Sequence, residues 1–340
     1  MEKYSQFRDK GTAIAPFFSV PTPPSSPLWA PVHIFLFVVR VPLLLGVSLL
    51  YFLFIEWIPA PSFVKKCVLW FLLAIPGVWW VDLQVDGVKR GKLSEMRDHL
   101  PHDGTVIASS FTSPLDPLYL AGIFCPLFTR SWPGTRKVEP ISLFRAILLA
   151  FSHPSLAPGN PAKLVSLKEL QERHPKSIIC VFPECTTTNG RGILPFSPSL
   201  LTVGEKTRIY PVNLRYTPGD VTTPTPGEYL AWFWKLLSKP SHCMRVRIAR
   251  SVFNTQTNGV KKAAGVGYDT NIFDSPEFRD RHVETNEEGG DEEISIREQE
   301  LLDRVAEDLA RLGRVKRVGL DVKDKIDFVK VWQKTKKRRG

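Results

Sequence analysis

Two stretches of the chain concentrate groups that can move a proton or hold a polar substrate. The first, Ser109-Ser-Phe-Thr-Ser-Pro-Leu-Asp-Pro-Leu-Tyr119, places Asp116 behind a run of hydroxyls. The second, Val181-Phe-Pro-Glu-Cys-Thr-Thr-Thr-Asn-Gly-Arg-Gly-Ile-Leu-Pro-Phe196, holds Glu184, the hydroxyls of Thr186, Thr187 and Thr188, and Arg191 in a Gly-Arg-Gly turn. Paired carboxylates beside hydroxyls can accept and orient a substrate alcohol. Loop duty explains the same residues equally well, because Ser-Pro-x-Asp and Pro-Glu-x-Thr are good helix and turn starts. Arg191, between two glycines, is a better phosphate candidate than Arg145, which sits in an apolar helical stretch where a snorkelling surface role is commoner. Cys185 has no histidine near it in sequence and makes a weak nucleophile candidate. His153, in Ser-His-Pro-Ser, is a weak candidate for a base folding back to the site.

Each stretch follows a short β-rich run, 105–109 (TVIAS) and 177–182 (SIICVF). Ligands of α/β sheets bind at the carboxyl ends of strands, so the two stretches are expected to share one site. Further strands are expected over VDLQVDGV from Val81, over 208–214 and over 244–250, where Arg245 and Arg247 share a face. Helical patterns at 114–124, 141–151 and 161–173 lie between them, giving an α/β class with a mixed sheet flanked by helices. Ser295 and Glu298 form a capping box ahead of an apolar stripe of Leu301, Leu302, Val305, Leu309 and Leu312. An acidic loop, 284–293, precedes it, and the chain ends in the basic KTKKRRG.

What positions this domain is apolar. Residues 31–58 are almost wholly hydrophobic but contain Arg40 and Pro42, and 67–81 forms a second, shorter run. A membrane-associated helical hairpin entering one leaflet fits best, with Arg40, Lys65 and Lys66 reaching head groups and Trp57, Trp70, Trp79 and Trp80 near the interface. Two full spans, or two buried core helices, are the alternatives. The expected organisation is a cytosolic segment 1–30, the hairpin 31–81, the α/β domain 82–283, and an acidic loop, helices and basic tail over 284–340. The 340 residues carry a formal charge of +11. No nucleic-acid-binding pattern accompanies that charge, so anionic lipid or a phosphate-bearing substrate is the better partner class. Five scattered cysteines without a CxxC pair argue against a disulfide framework or a zinc site. There is no GxSxG elbow, Walker A loop or complete GxGxxG.

The second stretch resembles the Phe-Pro-Glu-Gly-Thr motif of the 1-acylglycerol-3-phosphate (lysophospholipid) acyltransferase family, in its Thr-Thr-Asn-Gly form. Ser110-Phe-Thr-Ser-Pro-Leu-Asp116 resembles the family's Asn-His-x-Ser-x-x-x-Asp block, and Ile209-Tyr-Pro-Val212 its Pro-Val block. The chain ends, MEKYSQFRDKGTAIAPF and LDVKDKIDFVK, resemble the fungal lysophosphatidic acid acyltransferases linked to lipid droplets and vacuolar sorting. The resemblance implies a glycerolipid acyltransferase-like fold. The implied reaction is acyl transfer from acyl-CoA, a co-substrate with no further cofactor or metal, to a lysophospholipid hydroxyl. It further implies contact with membrane lipids at the endoplasmic reticulum or a lipid droplet, facing the cytosol.

The resemblance assigns Asp116 to the catalytic pair and Glu184, Thr186, Thr187, Thr188 and Arg191 to the acceptor. Backbone N–H groups after Thr112 would steady the thioester oxyanion. Phe111 stands where the family has its catalytic histidine, and none of the seven histidines has an aspartate five residues on. Cys185 replaces the motif's glycine, and the family's second block is not recognisable. The contrasting expectation is a catalytically inactive protein of the same fold that binds lipid or tethers membranes.

Overall fold

Short β-branched runs separated by amphipathic stretches fold into one mixed sheet with helices on both faces. The computed structural model describes residues 2–23, 26–58, 61–89, 92, 97–254 and 295–337. Helices α1 (Ala30–Leu50) and α2 (Ser62–Ala74) precede strand β1 (Val78–Val85). Strand β2 (Val106–Ser109) leads into α3 (Leu115–Phe124), followed by β3 (Leu127–Arg130), β4 (Glu139–Ile141), α4 (Leu143–Phe151) and α5 (Leu167–Arg173). Next come β5 (Ile179–Val181), β6 (Gly192–Ile193), β7 (Arg208–Thr217), α6 (Tyr229–Ser238), β8 (His242–Ile248) and β9 (Val252–Phe253). Helix α7 (Ile296–Gly313), strand β10 (Lys316–Arg317) and helix α8 (Val322–Lys337) complete the described chain.

The strand order is β1-β8-β7-β2-β5-β3-β4, with β9 against β7 and a separate β6–β10 pair. Central β2 is parallel to β5 and β7. Its Ile107 joins the core formed with α2, α3, α4 and α6, while Val106 and Ala108 join the core formed with α5 and α7. A parallel strand covered on both faces reads as an unbroken apolar run, which is how β2 and β5 look in the sequence. The Ser295–Glu298 capping box starts α7, and its stripe of Leu301, Leu302, Val305, Leu309 and Leu312 is buried. Strand β1 begins at Val78 rather than Val81, because its parallel pairing with β8 extends from Val78–His242 to Val85–Ile248. The acidic loop 284–293 lies outside the described residues, as does the last part of the basic tail.

The two helices of the apolar N-terminal region differ in character. One continuous helical stretch of 29 residues, Pro27–Ile55, is long and apolar enough to cross a membrane, and it is the one such helix among the described residues. It leaves Phe35, Val38, Leu45, Leu49 and Leu53 exposed. The second run does not mirror it. Helix α2 buries Leu69, Leu72 and Leu73 against the domain core and packs on α3, so one of its faces is an ordinary core face. Arg40 does not reach outward. Its guanidinium donates to the carbonyls of Leu237, Lys239 and Pro240, satisfying the C-terminal end of α6. Lys65 is half-buried and donates to the Glu56 carbonyl in the turn before α2. A guanidinium with five donors matches a helix end full of orphan acceptors better than solvent does.

Candidate active site

The two sequence stretches meet. Strand β2 ends at Ser109, and its continuation crosses to the loop after β5, where the Thr188 N–H donates to the Phe111 carbonyl at 2.9 Å. The parallel β2–β5 pairing forces this, since both chains leave the sheet at the same edge.

Asp116 lies in the first turn of α3 and is fully buried. Its Oδ2 accepts from the backbone N–H groups of Thr112 (2.6 Å) and Ser113 (2.9 Å) and from the Thr112 hydroxyl (3.1 Å). Its Oδ1 accepts from the Tyr216 hydroxyl at 2.5 Å. Burial pushes the Asp116 carboxyl up to about 6, against the pull of these four donors. Of the N–H groups after Thr112 expected to serve an oxyanion, that of Ser113 is instead bound to Asp116, as is the N–H of Thr112 itself. The chain folds this way because Pro114 starts the helix without a donor, leaving the preceding N–H groups to the nearest carboxylate.

Phe111 is also fully buried, and its ring stacks on Phe182 with centroids 4.5 Å apart. The histidine position of the motif is thus part of the apolar core. Beside it, Glu184 accepts from the N–H of Leu194 at 3.2 Å and from the N–H of Phe111. Burial raises its carboxyl to about 8, and the Asp116 charge adds to the rise. Two carboxyl groups that sense each other are thus both raised by burial, Glu184 further than Asp116, the direction that separates a proton acceptor from a donor.

Thr186, Thr187 and Thr188 are buried. The carbonyl and hydroxyl of Thr187 accept from the Lys325 ammonium of α8 at 2.5 and 2.7 Å. Burial lowers Lys325 to about 7, and the nearby Glu184 opposes that fall. Asn189 is gripped by the N-terminal segment. Its amide donates to the carbonyls of Ala15 and Phe18, both at 2.8 Å, and its N–H donates to that of Pro16. Phe7 and Phe17 of this segment pack with Leu194, Val318 and Phe328, so 2–23 and α8 together cover the 186–194 loop.

Other candidates fall away from this centre. Arg191 is exposed, and its backbone N–H donates to the Asn189 side chain. The Arg145 side chain is 61% exposed and lies 3.8 Å from Glu139, a surface position. His153 is exposed and bonds to Gln333 on α8. Cys185 is half-buried, and desolvation pushes its thiol up to about 11, which disfavours the reactive thiolate. Sequence reasoning missed Tyr216 and Lys325. Tyr216 ends the same strand as the Pro-Val block, and Lys325 lies in the LDVKDKIDFVK stretch noted only for its resemblance. A tyrosine near the end of β7, four residues past its pairing with β2, was a usable signal; nothing local marked Lys325.

No family model matches the chain, and no solved structure matches it. A curated Schizosaccharomyces pombe protein, provisionally named as a lysophosphatidic acid:oleoyl-CoA acyltransferase, is 28% identical over 260 residues, 73% of this chain and 84% of that protein. Lysophosphatidic acid:oleoyl-CoA acyltransferase 1 of Saccharomyces cerevisiae is 26% identical over 200 residues, 58% of this chain and 61% of that protein. The likeness to fungal lysophosphatidic acid acyltransferases read from the motifs is supported by both.

Proposed function

We propose that this chain, a protein like the fungal lysophosphatidic acid acyltransferases, moves an acyl group from acyl-CoA to the free hydroxyl of a lysophospholipid, lysophosphatidic acid first. The observation that carries the reading is the buried Asp116 carboxylate at the end of β2, raised to about 6 and bonded to Tyr216, with Glu184 beside it on the matching motif. The acceptor hydroxyl oxygen attacks the thioester carbonyl carbon. Its proton passes to the Tyr216 oxygen as the Tyr216 proton passes to Asp116 Oδ1. Collapse of the tetrahedral centre breaks the carbon–sulfur bond, and the departing thiolate takes the proton back. An aspartate near pKa 4 is a poor base at neutral pH, and burial moves Asp116 toward the useful range. Glu184, Thr187 and Lys325 hold the glycerol-phosphate of the acceptor, and Arg191 remains a candidate for its phosphate at the loop surface. The exposed apolar α1 keeps the domain at a membrane from which both lipids arrive, on the cytosolic side of the endoplasmic reticulum or a lipid droplet. Purified full-length protein incubated with labelled acyl-CoA and a panel of lysolipids tests this; the labelled product should be greatest with lysophosphatidic acid.

The contrasting reading, a non-catalytic lipid-binding protein, is favoured by one observation: Phe111 is packed as a core residue where the motif carries its base. Acceptor binding without any acyl transfer would establish it.

Asp116, Glu184 and Thr186–Thr188 are all buried, and 2–23 with α8 lies over the 186–194 loop, so we infer that opening of this cover admits substrate. Asn189→Ala removes the two donors that hold Ala15 and Phe18. This change should cost the closed cover about 2 kcal/mol. Limited proteolysis or amide exchange of residues 2–23 should then speed up by more than tenfold, while the global unfolding transition moves little.

A further inference from the structure

On the sheet face opposite Asp116, the ends of β7 and β8 meet the C-terminus of α7 in a shallow cleft lined by Asn213, Arg215, Arg245, Arg247 and Arg314. Register explains the crowding, since Arg215 pairs with Arg245 and Asn213 with Arg247 across the antiparallel ladder. Directly opposed residues on one sheet face lie about 5 Å apart, and like charges there repel. Two of the guanidiniums are held by the helix end. Arg215 donates to the Gly313 carbonyl at 3.1 Å and Arg247 to the Leu312 carbonyl at 2.7 Å. Each keeps further donors for another acceptor, and the buried Arg247 Nε has no partner. Asp82 lies 3.3 Å from Arg245, whereas Asp86 and Asp308 are taken up by Arg311. Four guanidiniums therefore face one cleft, and among the described residues Asp82 is the carboxylate paired with them. Burial lowers the proton affinity of Arg247, and the charges of Arg314, Arg245 and Arg215 lower it further while Asp82 opposes them.

The neighbouring surface says where an anion would come from. Trp80 is 73% exposed and sits on β1 two residues before Asp82, which pairs with Arg245. Residues two apart on a strand share a face and lie about 7 Å apart. An exposed tryptophan one step from a guanidinium cluster is the arrangement of a protein edge at a lipid–water boundary. We infer that Arg215, Arg245, Arg247 and Arg314 form a phosphate-binding site that takes the head group of an anionic lipid in the membrane on which the domain rests. The site does not depend on acyl transfer, since Asp116 lies on the other sheet face and Glu184 in the loop after β5, and neither lines the cleft.

Full-length protein is tested by flotation with phosphatidylcholine vesicles with and without phosphatidic acid, and by its Tm with and without inorganic phosphate. Arg245→Gln/Arg314→Gln is the variant of choice, because Arg215 and Arg247 do the helix capping. Wild type should bind the phosphatidic acid vesicles about tenfold better than neutral ones, an increment that shrinks at high salt. The variant should lose the increment while keeping its binding to neutral vesicles and its Tm in phosphate-free buffer. A phosphate-induced rise in Tm, seen in wild type and absent in the variant, without any vesicle increment would keep the anion site and overturn its membrane source. A variant that matches wild type in both measurements, or a wild type indifferent to both anions, overturns the inference.

Discussion

Asp116→Asn is expected to lower the rate of acyl transfer by about 10²–10⁴-fold, the usual worth of a positioned base, while the protein stays folded. The amide can keep the geometry. Its oxygen accepts from Thr112 and Ser113 as Oδ2 does now, and its NH2 can donate to a Tyr216 hydroxyl that turns to accept. The loss would therefore report chemistry rather than packing. The pH profile supplies a second readout. The base form of Asp116 is ionised, so the wild-type rate should rise as pH passes about 6 and level off above it. Stability runs the other way. The folded carboxyl binds its proton more tightly than its ordinary 3.8, so the contribution of this group falls as pH rises from about 4 to about 6. Asp116→Asn should remove both limbs. An asparagine variant as active as wild type would show that the proton goes elsewhere.

Glu184→Ala is expected to destabilise the protein by about 4 kcal/mol, and Glu184→Gln by no more than about 1 kcal/mol. Alanine leaves the buried N–H groups of Phe111 and Leu194 without an acceptor, each costing about 1–3 kcal/mol, and adds an empty space. Glutamine keeps the acceptor oxygen and matches the protonated acid in charge. Because the folded carboxyl sits near 8 rather than 4.5, its contribution to stability is present at low pH and falls as pH climbs through that window. The glutamine variant lacks this slope. Its denaturant midpoint should therefore gain on wild type between about pH 4.5 and 8. If Glu184→Gln is as damaging as Glu184→Ala, the carboxyl is ionised in the folded protein and the acid–base pairing with Asp116 fails.

The residues that announced themselves in sequence were those whose structure is local or repetitive. Strands β2 and β5 read as apolar runs because they are parallel and covered on both faces, and the motifs that follow them leave the sheet at one edge. The capping box of α7 was legible because its two hydrogen bonds span four residues. The core-facing side of helix α2 was not legible for a physical reason. An apolar run that buries Leu69 and Leu73 in a domain has the same composition as one that faces lipid, and only its partner α3 distinguishes them. Arg40 was misread because its acceptors, the carbonyls ending α6, lie about two hundred residues away. Tyr216 and Lys325 belong to the same class. Each reaches the centre through tertiary pairing, one by the register of β7 and one by the docking of a helix near the chain end. The covering segment 2–23 gave no periodic signal because it grips Asn189 through backbone carbonyls, which every sequence has, and packs Phe7 and Phe17 on residues far along the chain.

The central claim is that a chain with phenylalanine at the motif's histidine position still transfers acyl groups, with Asp116 as the proton acceptor. Its most direct test is one rate, labelled phosphatidic acid formed from lysophosphatidic acid and acyl-CoA, measured for wild type and folded Phe111→His side by side against heat-killed protein. The account predicts slow product formation by wild type, above the heat-killed control, and a faster rate for Phe111→His if the ring fits where Phe111 now stacks on Phe182. No product from wild type, with product from Phe111→His, would contradict it and mark the chain as an acyltransferase fold that has lost its reaction.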